Sequence, residues 1–362
     1  MSRRQVRARL PARIERRSGD ADDDRHRVRE PRFFIDAHRQ DSAHRVVDSA
    51  ASSDPSLTDS RATILAGLSD PAGMRVEPKH LYDALGSVLF GAICLVDEYY
   101  PTRTEAAILE KALPVLADRI APAATLIDLG AADCAKGMRL LEHLDVRQYV
   151  GVDVAAACLR NGVGAVQAAN PDLDVIGLVA DFTRGLTLPQ EVSDRGRLFF
   201  YPGSSIGNFS PQRAAALLGQ WRQLADRDAR LLIGIDLVKD PATLKAAYDD
   251  AVGVTAAFNL NVLRHLNRIC GTDFDLRQWC HRAFYDERHQ RIEMHLVARE
   301  NLRIEWRGGG RDVAAGQSIH TENSYKFRLD GFSRLLDEAG WWPSATWTDD
   351  QRWFALVLAE PA

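Results

Sequence analysis

Three apolar runs, each ending in glycine or an acidic residue, carry the first chemistry legible in this chain. The run Ala124-Thr125-Leu126-Ile127-Asp128-Leu129 closes on Gly130-Ala131-Ala132-Asp133-Cys134-Ala135-Lys136-Gly137, then resumes as Met138-Arg139-Leu140-Leu141-Glu142-His143-Leu144. Leucines at helical spacing after a small-residue turn predict strand, tight loop, helix. A second apolar run ends in Asp153, about 23 residues beyond Gly130. A third, Asp174 to Val179, ends in Ala180-Asp181-Phe182. A turn of small residues lets the backbone approach a ligand closely, and the acid ending the next strand can accept hydrogen bonds from two ribose hydroxyls. Asp181 offers a carboxylate to an adenine amine with Phe182 beside the ring; as a structural alternative, it caps the next turn.

Dinucleotide folds and S-adenosylmethionine folds share this layout and differ at the turn. A pyrophosphate binder wants G-x-G-x-x-G, whereas here Gly130 and Gly137 flank Ala131, Ala132 and Asp133. Asp133 and Asp128 would repel a diphosphate and suit the sulfonium and amino group of S-adenosylmethionine. Taken together, the three strand ends point to the methyl donor.

The elements that must hold these residues alternate between strand and helix, which is the pattern of an α/β doubly wound sheet. After Asp181 come a strand at Arg197 to Tyr201, the loop Pro202-Gly203-Ser204-Ser205-Ile206-Gly207-Asn208-Phe209-Ser210, a helix from Pro211, and a strand ending in Asp236. Gly130, Asp153, Asp181 and Gly203 then fall on one edge of the sheet, where such folds bind ligands. From Lys239 the pattern changes to a long helical region reaching Arg268, followed by alternating strands. A hairpin of Ala345 to Thr348 and Trp353 to Leu358 can finish the sheet. This predicts a Rossmann-like class I methyltransferase domain at 104–238 and 326–362, with an α+β substrate-binding domain at 55–103 and 239–325. Residues 1–54, rich in Arg, Asp and Ser, read as a disordered arm. In Tyr99-Tyr100-Pro101, the proline predicts an extended pair, and Thr104 is placed to cap a helix from Glu105.

Composition narrows the class. A chain of 362 residues, 46% hydrophobic, can bury a large core. A net charge of -4 gives no reason to expect nucleic acid. Five scattered cysteines without C-x-x-C spacing fit reduced thiols in a cytoplasm rather than zinc or disulfides. No apolar run is long enough for a membrane helix.

Four blocks are more specific: Glu98-Tyr99-Tyr100-Pro101-Thr102-Arg103; Gly203-Ser204-Ser205-Ile206-Gly207-Asn208-Phe209; Tyr248-Asp249-Asp250 with Gly253-Val254-Thr255-Ala256-Ala257-Phe258-Asn259; and Thr321-Glu322-Asn323-Ser324-Tyr325-Lys326-Phe327. Their order, over Leu57 to the C-terminus, resembles the histidine Nα-methyltransferases of ergothioneine biosynthesis, which trimethylate the α-amino group of L-histidine to hercynine. The resemblance implies cofactor contacts from Tyr82, Gly130, Lys136, Asp153, Asp181 and Phe182. It implies that Asn208 and Tyr248 hold the substrate carboxylate, that Tyr82 and the Gly203 backbone face the amino group, and that Tyr99, Glu322 and Ser324 read the imidazole, with Thr255 and Met294 nearby. It also implies a monomer. The cofactor turn departs from the family's usual Gly-Ser-Gly-Thr.

The chemistry is coherent apart from the resemblance. Glu322 and Ser324 can bond both imidazole nitrogens, and a buried group left unpaired costs about 1–3 kcal/mol. Methyl transfer is an in-line displacement that gains most from positioning. An α-amine with a reference pKa of about 8 needs little help to be neutral, so no dedicated strong base is expected. Tyr82 or Phe90 could face the growing quaternary ammonium. The alternatives are an Nα-methyltransferase of another aromatic amino acid such as tryptophan, a catalytically silent S-adenosylmethionine binder, and methylation of nucleic acid guided by the arginine-rich arm. An indole offers one donor and no acceptor, so Glu322 with Ser324 favours histidine.

Overall fold

The computed structural model describes residues 45–48, 57–122 and 124–362. A strand β1 (Arg45–Asp48) is followed by α1 (Leu57–Ser69), the short β2 (Met74–Arg75), α2 (Ala84–Ile93) and α3 (Tyr100–Arg119). The central alternation then runs β3 (Ala124–Leu129), α4 (Ala135–Leu141), β4 (Val146–Asp153), α5 (Ala156–Ala169), β5 (Asp174–Val179), β6 (Arg197–Tyr201), α6 (Pro211–Gln223) and β7 (Arg230–Asp236). The late region holds α7 (Pro241–Ala246), α8 (Val254–Cys270), β8 (Trp279–Asp286), β9 (Arg291–Ala298), β10 (Leu302–Trp306), β11 (Gly309–Val313) and β12 (Ser318–Tyr325). Helix α9 (Leu329–Glu338) and the hairpin β13 (Trp341–Thr348) and β14 (Phe354–Pro361) close the chain.

The main sheet has the order β1-β5-β4-β3-β6-β7-β14-β13. Pairings from β1 to β7 are parallel, and the closing hairpin adds antiparallel strands. Every residue of β3 and β6 is buried, as expected where helices cover both faces of a parallel sheet. Trp221, Phe199 and Trp341 fill the core on one face, while Tyr149, Leu126 and Phe354 fill it on the other. The chain order reverses beside β3, so the crevice above the carboxyl ends of β3 and β6 is a topological switch point, where open α/β sheets bind ligands.

A second core gathers α1, α2, α8 and the sheet β2-β12-β9-β8 around Phe258, Trp279, Met294 and Leu296. Strand β9 alternates perfectly between part-exposed and buried residues, so one face meets the core and the other faces outward. A bulge between His320 and Glu322 shifts the register of β12 against β9. Thr321 and Glu322 are consequently both buried, which simple alternation forbids.

Several expectations change. Arg45–Asp48, read as part of the disordered arm, adds a parallel edge strand beside β5; the rest of 1–54 lies outside the described residues. Tyr100 and Pro101 open α3 instead of standing extended, because proline at the first helical positions gives up an N–H that has no partner there anyway. Thr104 is therefore inside the helix and not its cap. The long helical region after Lys239 is interrupted: α7 stops at Ala246, and the Asp250 carboxylate accepts from the N–H groups of Gly253, Val254 and Thr255 to start α8.

Candidate active site

The cofactor end is built on the turn after β3. Gly130, Ala132 and Cys134 all have positive φ, at 71°, 47° and 61°. The chain thus coils tightly enough for the N–H groups of Gly130 and Ala131 to reach the Val152 carbonyl. The half-buried Asp153 locks the turn: its Oδ2 accepts from Ala132 N at 2.9 Å and its Oδ1 from Ala155 N at 2.8 Å. Each carboxylate oxygen keeps a second lone pair for a ribose hydroxyl. Helix α5 packs closely because Gly162 has no side chain; a Cβ there would lie 2.7 Å from the Asp133 carbonyl carbon. Asp128, expected to help hold the donor, is instead buried below the turn and accepts from the Tyr149 hydroxyl at 2.7 Å. Burial pushes its carboxyl up to about 7. Asp133 is exposed and accepts from Ala135 N.

At the end of β5, Asp181 accepts from the N–H and hydroxyl of Thr183 through one oxygen and meets Lys79 Nζ at 3.5 Å through the other. Both the capping and the ligand-facing readings of Asp181 thus have an oxygen to draw on. The Phe182 ring is buried against Tyr201 and Trp221, with centroids 5.7 and 6.2 Å away. It is a floor of the crevice more than a free aromatic face.

Beyond β6 the loop turns through Gly203 and Ser204, both left-handed, into the 3-10 turn Ser205–Asn208. Glu105, buried in α3, holds this loop to the cofactor turn. Its Oε1 accepts from Gly203 N at 2.6 Å, and its Oε2 pairs with Lys136 Nζ at 2.7 Å. Through Glu105, Lys136 therefore links the turn after β3 to the Gly203 loop. Glu105 was missed from sequence, where it looked like an ordinary first-turn acid.

Next to this loop lies a cavity lined by Tyr82, Phe90, Ile93, Tyr99, Gly203, Ser204, Ser205, Asn208, Ala247, Tyr248, Thr255, Phe258, Met294, Glu322 and Ser324. Every position expected to touch substrate is on its wall. Tyr82 meets Phe90 and Phe258 edge-on at 5.5 and 5.4 Å, and Tyr99 meets Tyr248 at 6.1 Å. Burial raises the phenols of Tyr82, Tyr99 and Tyr248 above the ordinary value, so they remain neutral. Among the described residues, the side chains of Tyr82, Tyr99, Asn208 and Glu322 make no hydrogen bond within the protein. Tyr99 and Glu322 are buried and Tyr82 and Asn208 half-buried; buried polar groups are normally satisfied, so this unpaired set around one cavity makes it the candidate ligand site.

Behind the wall is a charge network that the motif contained but the sequence reading did not use. Lys326, fully buried, donates to Tyr248 at 3.0 Å and Ser324 at 2.8 Å, and pairs with Asp236 at 2.8 Å. Tyr248 and Ser324 are themselves 2.7 Å apart. Asp236 also accepts from Tyr100 and pairs with Lys239. Despite burial, these two ammonium groups hold its carboxyl below the usual range. Desolvation pushes Glu322 the other way, up to about 7, with Lys326 only partly opposing the rise.

A switch-point crevice of this kind, with acids at successive strand ends and a neighbouring aromatic cavity, defines a class I methyltransferase. The chain matches the family model described as "histidine-specific methyltransferase, SAM-dependent" over residues 60–361 and belongs to that family; S-adenosylmethionine is its methyl donor. It is 39% identical over 306 residues to the histidine N-alpha-methyltransferase of Mycolicibacterium smegmatis, covering 83% of this chain and 94% of that one. It is 38% identical to the enzyme of the same name from Mycobacterium tuberculosis, covering 78% and 89%. Ergothioneine biosynthesis protein 1 of Neurospora crassa is 30% identical over 77% of this chain and 32% of its own length.

Proposed function

We propose that this enzyme trimethylates the α-amino group of L-histidine to hercynine, for ergothioneine biosynthesis. The observation that carries the reading is the unpaired Glu322 carboxylate facing the same cavity as Ser324, Asn208 and Tyr248. An imidazole N–H can donate to Glu322, and Ser324 can meet the second ring nitrogen. Asn208 and the Tyr248 hydroxyl offer donors to the substrate carboxylate. Lys326 keeps Tyr248 and Ser324 oriented.

The residues at the sheet edge fit the donor: Asp153 and Asp181 present carboxylate oxygens to hydroxyl and amine groups, and exposed Asp133 disfavours a diphosphate. When bound, S-adenosylmethionine supplies an electrophilic methyl on a sulfonium. Tyr82 and the Gly203 backbone would orient the substrate amine, and Lys136, held by Glu105, would offer a cation to the donor's carboxylate. The aromatic side chains of Tyr82, Phe90, Tyr99 and Phe258 line the cavity that would hold the cationic product. No strong base is needed for an amine of ordinary basicity, and the phenols are too weakly acidic to act as one. Residues 104–238 and 326–362 form the donor-binding domain, whose Gly203–Asn208 loop also reaches the amino acid, while 55–103 and 239–325 form the rest of the amino-acid pocket. One chain supplies all these groups, which supports a monomer as the working unit. Five free cysteines fit a cytoplasmic setting, and among the described residues no helix is long and apolar enough to cross a membrane.

The test is mass spectrometry of purified protein with S-adenosylmethionine and a mixture of histidine, tryptophan, tyrosine and phenylalanine. The expected product is histidine carrying three added methyl groups. Methylation of tryptophan alone would overturn the imidazole assignment, and methylation of none of the four would overturn the enzyme reading.

A further inference from the structure

The outer face of β9 and β12, opposite the cavity, carries a cluster that the methylation reaction does not use. Glu293 and His295 are two apart on β9 and so share a face, and His295 is the direct cross-strand partner of His320 on β12. The three side chains are half-buried, and one ligand atom from each lies within 4.8 Å of the others. We propose that Glu293, His295 and His320 form a binding site for a divalent cation of the zinc class.

The donor set, two imidazoles and one carboxylate, suits Zn²⁺, Co²⁺ or Ni²⁺ better than calcium or magnesium, which prefer oxygen alone. Three protein ligands leave a fourth, open position. The surroundings orient the ligands as outer groups do at metal sites. His295 Nδ1 lies 3.1 Å from Ser318 Oγ, and its ring stacks on Phe284 at 5.3 Å. His320 Nε2 lies 3.0 Å from Asn323 Oδ1.

Two features limit affinity. Glu293 Oε2 now bonds His295 Nε2 at 2.8 Å, a contact the cation must replace. Arg291 occupies Oε1, at 2.9 Å from its Nε, and leaves Oε2 as the ligand. Ligands at about 2.0–2.1 Å in a tetrahedron are roughly 3.4 Å apart, so from separations within 4.8 Å no pair need close by more than about 1.4 Å, within the reach of side-chain rotation on a fixed sheet. The guanidinium opposes the cation's charge, which points to micromolar rather than structural-zinc affinity. The strand pair that would carry the ion also carries Met294, Glu322 and Ser324 on its opposite face, with Glu322 paired to Met294 just past the bulge.

The experiment titrates the full chain, freed of metal by chelator and dialysis, with Co²⁺ and follows visible d–d absorption. One equivalent should bind, and His295→Gln and His320→Gln should each weaken that equivalent at least tenfold while still methylating histidine. Zn²⁺ should raise the melting temperature of the unmodified protein and leave that of His320→Gln unchanged. Equal Co²⁺ binding by the unmodified chain and both variants, or no binding by any, would overturn the site. So would a spectrum dominated by thiolate charge-transfer bands, which would assign the metal to cysteine.

Discussion

Replacing Glu322 with glutamine should make the empty protein more stable and the enzyme worse. In the absence of substrate, burial holds the Glu322 carboxyl at about 7 instead of its ordinary 4.5. Below about 4.5 the group is neutral in both folded and unfolded chains and costs nothing. Between 4.5 and 7 the unfolded chain ionises while the folded one keeps its proton, so stability falls as pH rises; above 7 the penalty is constant. That shift corresponds to about 3 kcal/mol. Glutamine has no charge to desolvate, so Glu322→Gln should gain about 3 kcal/mol at pH 8, roughly 5 °C in melting temperature for a chain of this size. The difference should vanish near pH 4.5. The same exchange removes a hydrogen bond to a charged acceptor, worth about 1.5–3 kcal/mol, so kcat/KM for histidine should fall by roughly 10- to 150-fold. In the unmodified enzyme kcat/KM should also decline below pH 7 as Glu322 takes up its proton. Differential scanning calorimetry at pH 4.5 and 8, with steady-state kinetics at pH 8, checks both arms. A variant that melts lower than the parent at pH 8 would refute the reasoning, because Glu322 would then be a satisfied structural group and not a strained one awaiting its ligand.

Other predictions follow from the same contacts. Lys326→Met leaves Asp236 short of one cation and strips a donor from Tyr248 and Ser324, so it should cost about 3 kcal/mol or more in chemical denaturation; adding Asp236→Asn should recover part of that. Glu105→Gln weakens the tie between Lys136 and the Gly203 loop, and should lower kcat/KM about tenfold while leaving the circular dichroism spectrum unchanged. Ala132→Gly relieves a left-handed alanine that costs about 1 kcal/mol, so the melting temperature should rise by roughly 2 °C; a fall would show that the Asp153 contact, and not φ, dominates that turn.

Much of the fold was legible because its signals are local. Buried parallel strands read as continuous apolar runs, small residues mark the cofactor turn, and an acid stands at the end of each of the next two strands. These features need only the periodicity of one segment at a time. Local reading failed where a neighbour far along the chain decides the outcome. Asp128 looked like a cofactor acid, but Tyr149 on the next strand binds it below the turn. Glu105 reads in sequence only as the start of a helix, but α3 presents it to Gly203 and Lys136. Arg45–Asp48 looked like part of an arm, yet an open sheet edge at β5 gives it a partner. Glu322 could be named from its motif; that it is buried and unpaired depends on a bulge in β12 and on cross-strand pairing with β9. Lys326 is separated from Asp236 by the whole of the inserted region, and only packing joins them in one buried ion pair. Periodicity along the chain specified which face each segment must bury, whereas the ionisation and pairing of polar groups depend on distances across the fold, and those arise when the segments assemble.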